Sequence, residues 1–254
     1  MLSHLPSNGA AGLPYCARMP VGRDGDRTER ARAIIRRLAR AYPDASIALD
    51  FSNPFELLVA TMLSAQSTDT KVNEVTATLF SKYRRPEDFL AVPEDELKAD
   101  IRPTGFFNQK TRALRAMSQK LLESFDGEVP GTIAELVTLP GVARKTANIV
   151  QANAYPQLAR KDRDAGIAVD THVGRLAVRL GLTDFGSKEA GKIERELMDS
   201  IAKKDRLRAA NLLIEHGRSV CIAKRPLCGH CVIEPLCPSS QRAGLADRYR
   251  LARG

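Results

Sequence analysis

"TIAELVTLPGVARKTANIVQANAY", residues 132–155, sets two helical patterns on either side of a Pro-Gly turn. Thr132 and Glu135 have the spacing of a capping box at the first helix start. Leu136 and Leu139 give that segment an apolar face, and Ile149 and Val150 do the same for the second. Between them "PGVA" makes the turn. The backbone N–H groups that follow belong to a helix start, which leaves them without partners inside the helix. With the positive end of the helix dipole they form a seat for a phosphate. Gly141 and Ala143 are small enough to let a nucleic-acid backbone approach. The pattern resembles a helix-hairpin-helix, and a plain αα corner fits it as well.

The flanking sequence extends this helical character. "TERARAIIRRLARAY" (28–42) places Ile34, Ile35 and Leu38 on one face after Thr28, a cap residue type. "SNPFELLVATMLSAQ" has Pro54 just inside its start, where the missing N–H costs nothing. Further helices are expected in 68–83, 93–101, 108–125, 171–180, 187–202 and 205–217. No run alternates apolar and polar residues as a strand would, so the expected class is all-α. Residues 155–168, "YPQLARKDRDAGIA", read as an exposed charged loop. Residues 1–26 are rich in Gly, Pro and small side chains without periodicity, and read as a disordered tail.

Lys and Arg number 39 against 30 Asp and Glu, a formal charge of +9. That excess favours a polyanionic partner. The longest apolar runs are too short to cross a bilayer. No secretory signal pattern appears near the amino end, so a cytoplasmic, nucleoid-associated protein is expected.

Lys145 falls in the first turn of the second hairpin helix. A lysine there can grip a phosphate. It can also act as a nucleophile, because the dipole end, Arg144 and partial burial would all favour a neutral amine. In "AGIAVDTHVGRLAVRLGL" (165–182), Asp170 stands where an N-cap belongs. A capping carboxylate is held in place, and opposite Lys145 it would stabilise a developing positive charge. His172 fits either a phosphate contact or a packed position. Near the C-terminus, Cys221, Cys228, Cys231 and Cys237 follow C-x6-C-x2-C-x5-C, while Cys16 stands apart. Such crowding points to metal ligation. Zinc sites of four cysteines usually show two C-x2-C knuckles, and here there is one, so both zinc and an iron–sulfur cluster fit. Lys224 and Arg225 form a basic lip between the first two cysteines.

These motifs together resemble the endonuclease III family, bifunctional DNA glycosylase/AP lyases of base-excision repair, from about residue 28 to 240. "LPGVARKTAN" (139–148) is similar to the hairpin with its catalytic lysine, and "VDTH" (169–172) to the segment with the catalytic aspartate. "HGRSVC" and the cysteine spacing match the [4Fe–4S] ligands. "LSAQSTD" (63–69) and "GFFNQK" (105–110) match two DNA-contacting loops. The resemblance implies a six-helix domain over 47–164. It also implies an iron–sulfur domain from 27–46 plus 165–240, and a basic tail over 241–254. It further implies a monomer acting on double-stranded DNA with oxidised pyrimidines or abasic sites. Gln66 would fill the gap left by an extruded base and Phe106 would wedge the opposite strand, although a helix-end cap and a core position fit these two residues as well.

Three features depart from the family pattern. Ala143 replaces a glycine, Phe106 and Phe107 replace an aliphatic residue and a tyrosine, and the loop after the hairpin is longer. Monofunctional adenine or thymine glycosylases lack the lysine, and the adenine enzyme carries a further domain. A DNA-binding iron–sulfur sensor, with Lys145 only gripping phosphate, is the alternative outside enzymes.

Overall fold

A computed structural model describes residues 25–242. Most of the expected tail at 1–26, with Cys16, and the basic tail beyond residue 242 lie outside the described residues. Among those described there are helices and loops and no strand. The α-helices are α1 (Gly25–Ala41), α2 (Pro54–Leu63), α3 (Asp69–Lys82), α4 (Pro86–Ala91), α5 (Glu94–Ile101) and α6 (Phe107–Phe125). They continue with α7 (Ile133–Leu136), α8 (Arg144–Ala154), α9 (Pro156–Lys161), α10 (Thr171–Arg179), α11 (Ala190–Ser200) and α12 (Arg206–Ser219).

Two hydrophobic cores organise them. The first gathers α2 to α8 around α2, whose residues from Leu57 to Leu63 are all buried. A helix apolar on every side must sit inside, which is why α2 is central. Its start is fixed by Asn53, whose side chain accepts the Glu56 N–H at 3.0 Å, while Glu56 accepts the Ser52 N–H at 2.6 Å. Leu114, Met117 and Leu121 give α6 a fully buried stripe at helical spacing. Beside it the Arg115 guanidinium donates to the carbonyls of Phe89, Leu90 and Val92, closing the end of α4. The second core joins α1 to α10, α11 and α12 through Ile34, Leu38, Val173, Leu176, Ile193, Leu197 and Leu213.

The structure corrects the expected elements in three places. α1 begins at Gly25, so Thr28 lies inside the helix instead of capping it. Arg27 anchors that extra turn by pairing with Asp184 at 2.7 Å and Glu196 at 2.9 Å, distant partners that no local pattern contains. The expected loop at 155–168 contains α9, started by Pro156 with its preset φ and ended by Arg160 and Lys161 at the negative end of the dipole. α4 was also missed, because six residues are too few for a periodic signal.

The segment after α8 braces the hairpin. Asp162, just past α9, accepts the Ile133 N–H at 2.9 Å, the Gln151 amide at 2.5 Å and the Asp164 N–H at 2.9 Å. Burial pushes its carboxyl up, but these donors outweigh it and hold the group below the ordinary carboxylate value. At the hairpin turn Gly141 has φ +79°, and a Cβ there would meet Met62 Cε at 3.0 Å and Ala113 Cβ at 3.1 Å.

Two outcomes are expected from these contacts. Asp162→Ala should lower stability at pH 7 by about 1 kcal/mol, read from the urea midpoint. Because the folded-state pKa is lowered from 3.8, that contribution is complete above the ordinary value and is lost as pH falls through the lowered one. The gap between parent and variant should therefore close in acid. Gly141→Ala should cost about 1–3 kcal/mol by the same measurement, from the left-handed φ and the two contacts.

Candidate active site and cysteine centre

Lys145, Asp170, Gln66, His172 and Lys224 line one open groove of about 2900 Å³, mouth included. A second cavity is lined by residues of α8 and α12. Lys145 and Asp170 line this one too, with the apolar Ile149, Ile167, Leu207 and Ile214. Residues separated by up to 158 positions thus share a wall. Phe106, Gly141, Ala143 and Arg225 are not part of that wall.

Lys145 is the second residue of α8. Ala143 is the N-cap, with φ −83° and ψ 166°, an extended conformation that any residue adopts. Its departure from glycine therefore carries no backbone strain. No side chain caps α8, and Ala143, Arg144 and Lys145 are all exposed, so the first-turn N–H groups are available to a ligand. The expectation that partial burial and Arg144 favour a neutral Lys145 amine needs correcting. Lys145 is exposed, and the Arg144 guanidinium turns away to Glu194, with Nε at 3.0 and 3.1 Å from its carboxylate oxygens. Of the three features expected around the amine, the helix start remains.

Glu194 is the hidden member of this site. It is buried on α11 and also accepts the Asn148 amide at 2.8 Å, while Asn148 accepts the Gly166 N–H at 3.0 Å. A Cβ on Gly166 would lie 1.8 Å from Glu194 Oε1, so only glycine permits this approach. The carboxylate belongs to the second core and its donors to α8 of the first.

Asp170 is half-buried and caps α10, its Oδ1 accepting the Val173 N–H at 2.7 Å. The cap role and a place facing Lys145 across the groove are therefore compatible. Burial pushes the His172 imidazole below its ordinary 6.5, the Asp170 charge opposing, and Arg175 Nη2 lies 3.3 Å from its Nδ1. His172 is accordingly both packed and groove-lining.

Gln66 and Phe106 share an uncommon backbone. Their φ values are +54° and +50°, a region that non-glycine residues enter at a cost. Both are exposed, Phe106 at 57%, so neither is a core residue. Phe107 instead packs against the first core, with the Arg102 guanidinium 5.7 Å from its ring centre. Sequence reasoning missed the ion pair of Asp69 with Arg218, at 2.5 Å, which spans the groove from α3 to α12. Both residues stood in quoted motifs, but a pairing across 149 positions leaves no local trace.

The four cysteines are half-buried, and Cys221, Cys231 and Cys237 pack against the edge of the second core. Burial pushes the Cys237 thiol up to about 12 and the Cys231 thiol up to about 11, with Cys221 and Cys228 adding to both shifts. Among the described residues no three His, Cys, Asp or Glu side chains are grouped closely enough for a single metal ion. Donors nevertheless converge on the sulfurs. Arg179, 1% exposed, places Nη1 3.3 Å from Cys221 Sγ, and His216 Nε2 lies 3.4 Å from Cys231 Sγ. The Ile233 and Ser239 N–H groups serve Cys231 and Cys237. N–H donors and a buried guanidinium suit thiolates, and a bound metal group is what deprotonates buried thiols.

Comparison with known proteins agrees with this geometry. Residues 59–203 match the family model described as HhH-GPD superfamily base excision DNA repair protein. Endonuclease III of Synechocystis sp. is 46% identical over 213 residues, covering 84% of this chain and 94% of that protein. A solved non-covalent endonuclease III–DNA complex superposes with a TM-score of 0.77 at 40% identity, covering 85% of this chain and 98% of that one. A trapped endonuclease III–DNA covalent intermediate superposes with the same TM-score at 39% identity and the same coverage. The chain belongs to the endonuclease III family within the HhH-GPD superfamily of base excision DNA repair proteins.

Proposed function

We propose that the protein is a base-excision-repair DNA glycosylase and AP lyase that removes oxidised pyrimidines from double-stranded DNA and cuts at the resulting abasic site. The observation that carries this reading is the placing of Lys145 and Asp170, each at a helix start, on one groove. The family and its DNA-bound relatives support it.

The helical body divides, in this reading, into a domain over 47–164 and a second from 27–46 plus 165–240, meeting at the groove. The two separate cores support that division. The hairpin turn, with Gly141 and Ala143, and the Lys224/Arg225 lip hold phosphates of a bent duplex, and His172 lies near the path of the strand. An oxidised base cannot be attacked at its sugar while stacked, so it is first swung out. Gln66 enters the vacated space and Phe106 wedges the opposite strand. Their exposure on strained backbone is what a rigid insertion element needs.

The Lys145 amine then attacks the anomeric carbon, the C–N bond to the base breaks, and the base leaves with the bonding pair. Loss of a proton from nitrogen and opening of the sugar give a Schiff base. Removal of the C2′ proton drives β-elimination, expelling the 3′ phosphate, and water releases the enzyme. Asp170, fixed by its bond to the Val173 N–H, stabilises the positive charge that develops on the sugar.

Cys221, Cys228, Cys231 and Cys237 are proposed to hold a [4Fe–4S] cluster, which when bound cross-links the loop carrying Lys224 and Arg225. The reaction needs no oxidant or reductant, so this chain's residues need only keep the loop in place.

Borohydride added to the protein with duplex DNA holding one abasic site should give a covalent adduct. Lys145→Ala should still bind the duplex but form none. Binding without an adduct from the parent would make Lys145 a phosphate contact and the protein a sensor. Asp170→Asn should lower the turnover of base release by about 100-fold. Purified protein should be yellow-brown, and Cys237→Ser should lose the colour and melt roughly 5 °C lower or more. A colourless parent containing zinc would overturn the cluster assignment.

A further inference from the structure

One buried cation remains unexplained by the reaction. Lys110, in the first turn of α6, is 6% exposed, and its ammonium donates to the carbonyls of Leu63 at 2.7 Å and Thr104 at 2.8 Å. Among the described residues no carboxylate partners it. A lone buried charge is costly unless its hydrogen bonds do something specific. Leu63 is the last residue of α2, so its carbonyl is one that the helix leaves open, at the negative end of the dipole. Thr104 closes the short 3-10 turn Arg102–Thr104 ahead of α6.

These two carbonyls are the roots of the two strained loops. Leu63 precedes Gln66 by three positions, and Thr104 precedes Phe106 by two. Gln66 and Phe106 are exposed non-glycine residues in the left-handed region. Asp126 is the remaining such residue described, and it simply ends α6. The hairpin turn rests on the same support, since Gly141 abuts Met62 of α2 and Ala113 of α6, one turn beyond Lys110. Strain of this kind persists only where the surroundings over-determine the backbone.

We infer that Lys110 is a positioning residue for base extrusion: its ammonium, shared between Leu63 O and Thr104 O, clamps the two insertion loops so that Gln66 and Phe106 enter the duplex as one unit. Methionine would fill the space without that clamp, because a thioether donates nothing. The inference rests on the glycosylase reading and sharpens it.

A double-mutant cycle tests it. Base release from duplex DNA with one oxidised pyrimidine is measured as kcat/KM for the parent, Lys110→Met, Gln66→Ala/Phe106→Ala and the triple variant. Lys110→Met should lose about tenfold or more in the parent background and less than about twofold in the doubly substituted one. Urea midpoints of the four proteins are taken alongside, because a purely structural lysine costs the same stability and activity in both backgrounds. Equal losses in both would overturn the inference. Lys110→Gln, which keeps a donor, replaces Lys110→Met if the latter lacks a cooperative transition, and failure of both to fold also overturns it. Borohydride trapping by the parent is the separate control: if it fails, the glycosylase/lyase reading fails, whereas trapping with an additive cycle sinks the clamp alone.

Discussion

The site depends on a buried carboxylate that does no chemistry in the proposed reaction. Lys145 is carried by a helix of the first core and Asp170 by a helix of the second, so their relation is only as firm as the joint between cores. Glu194 makes that joint. It reaches from α11 to Arg144 and Asn148, on either side of Lys145 in sequence, and Asn148 and Arg144 in turn hold the Gly166 N–H and the Asp164 carbonyl. The segment from 164 to 170 is thereby drawn against α8. Gly166 follows as a steric necessity. Charged bonds of this kind contribute on the order of 1.5–3 kcal/mol each, ample to fix a geometry that apolar contact alone would let slide.

Both reacting groups also exploit the same elementary feature, the start of a helix. At α8 the first N–H groups have no side-chain cap, which suits an anionic backbone beside the lysine. At α10 the corresponding donor is taken up by Asp170 itself, which keeps the carboxylate oriented. One fold element thus serves as a phosphate seat in one place and as a carboxylate clamp in the other. The difference is whether the capping residue is alanine or aspartate.

α10 links the groove to the cysteine loop. Asp170 begins it, and along its buried side Arg175 donates to the Gly217 and Cys221 carbonyls. Arg179 donates to those of Cys221, Ile222 and Ala223. Two buried guanidiniums therefore pin the stretch that leads directly to Lys224. The cysteine loop therefore meets the groove directly at Lys224 and is tied to the far end of the helix that Asp170 begins.

The sequence by itself determined the helical class, the hairpin, the caps at Thr132 and Asp170 and the candidate residues, because each rests on short-range rules. Helical spacing, the Pro-Gly turn at 140–141, the Thr132 cap and the cysteine spacing are complete within a few residues. Tertiary structure decided what depends on distant partners. The early start of α1 hangs on Arg27 meeting Asp184 and Glu196, the exposure of Lys145 on Arg144 turning to Glu194, and the groove-spanning pair on Asp69 meeting Arg218. Short helices such as α4 and α9 fall between, carrying a proline signal but too little length for a period. Side-chain ion pairs and buried hydrogen bonds have no periodicity along the chain, so folding alone brings them together.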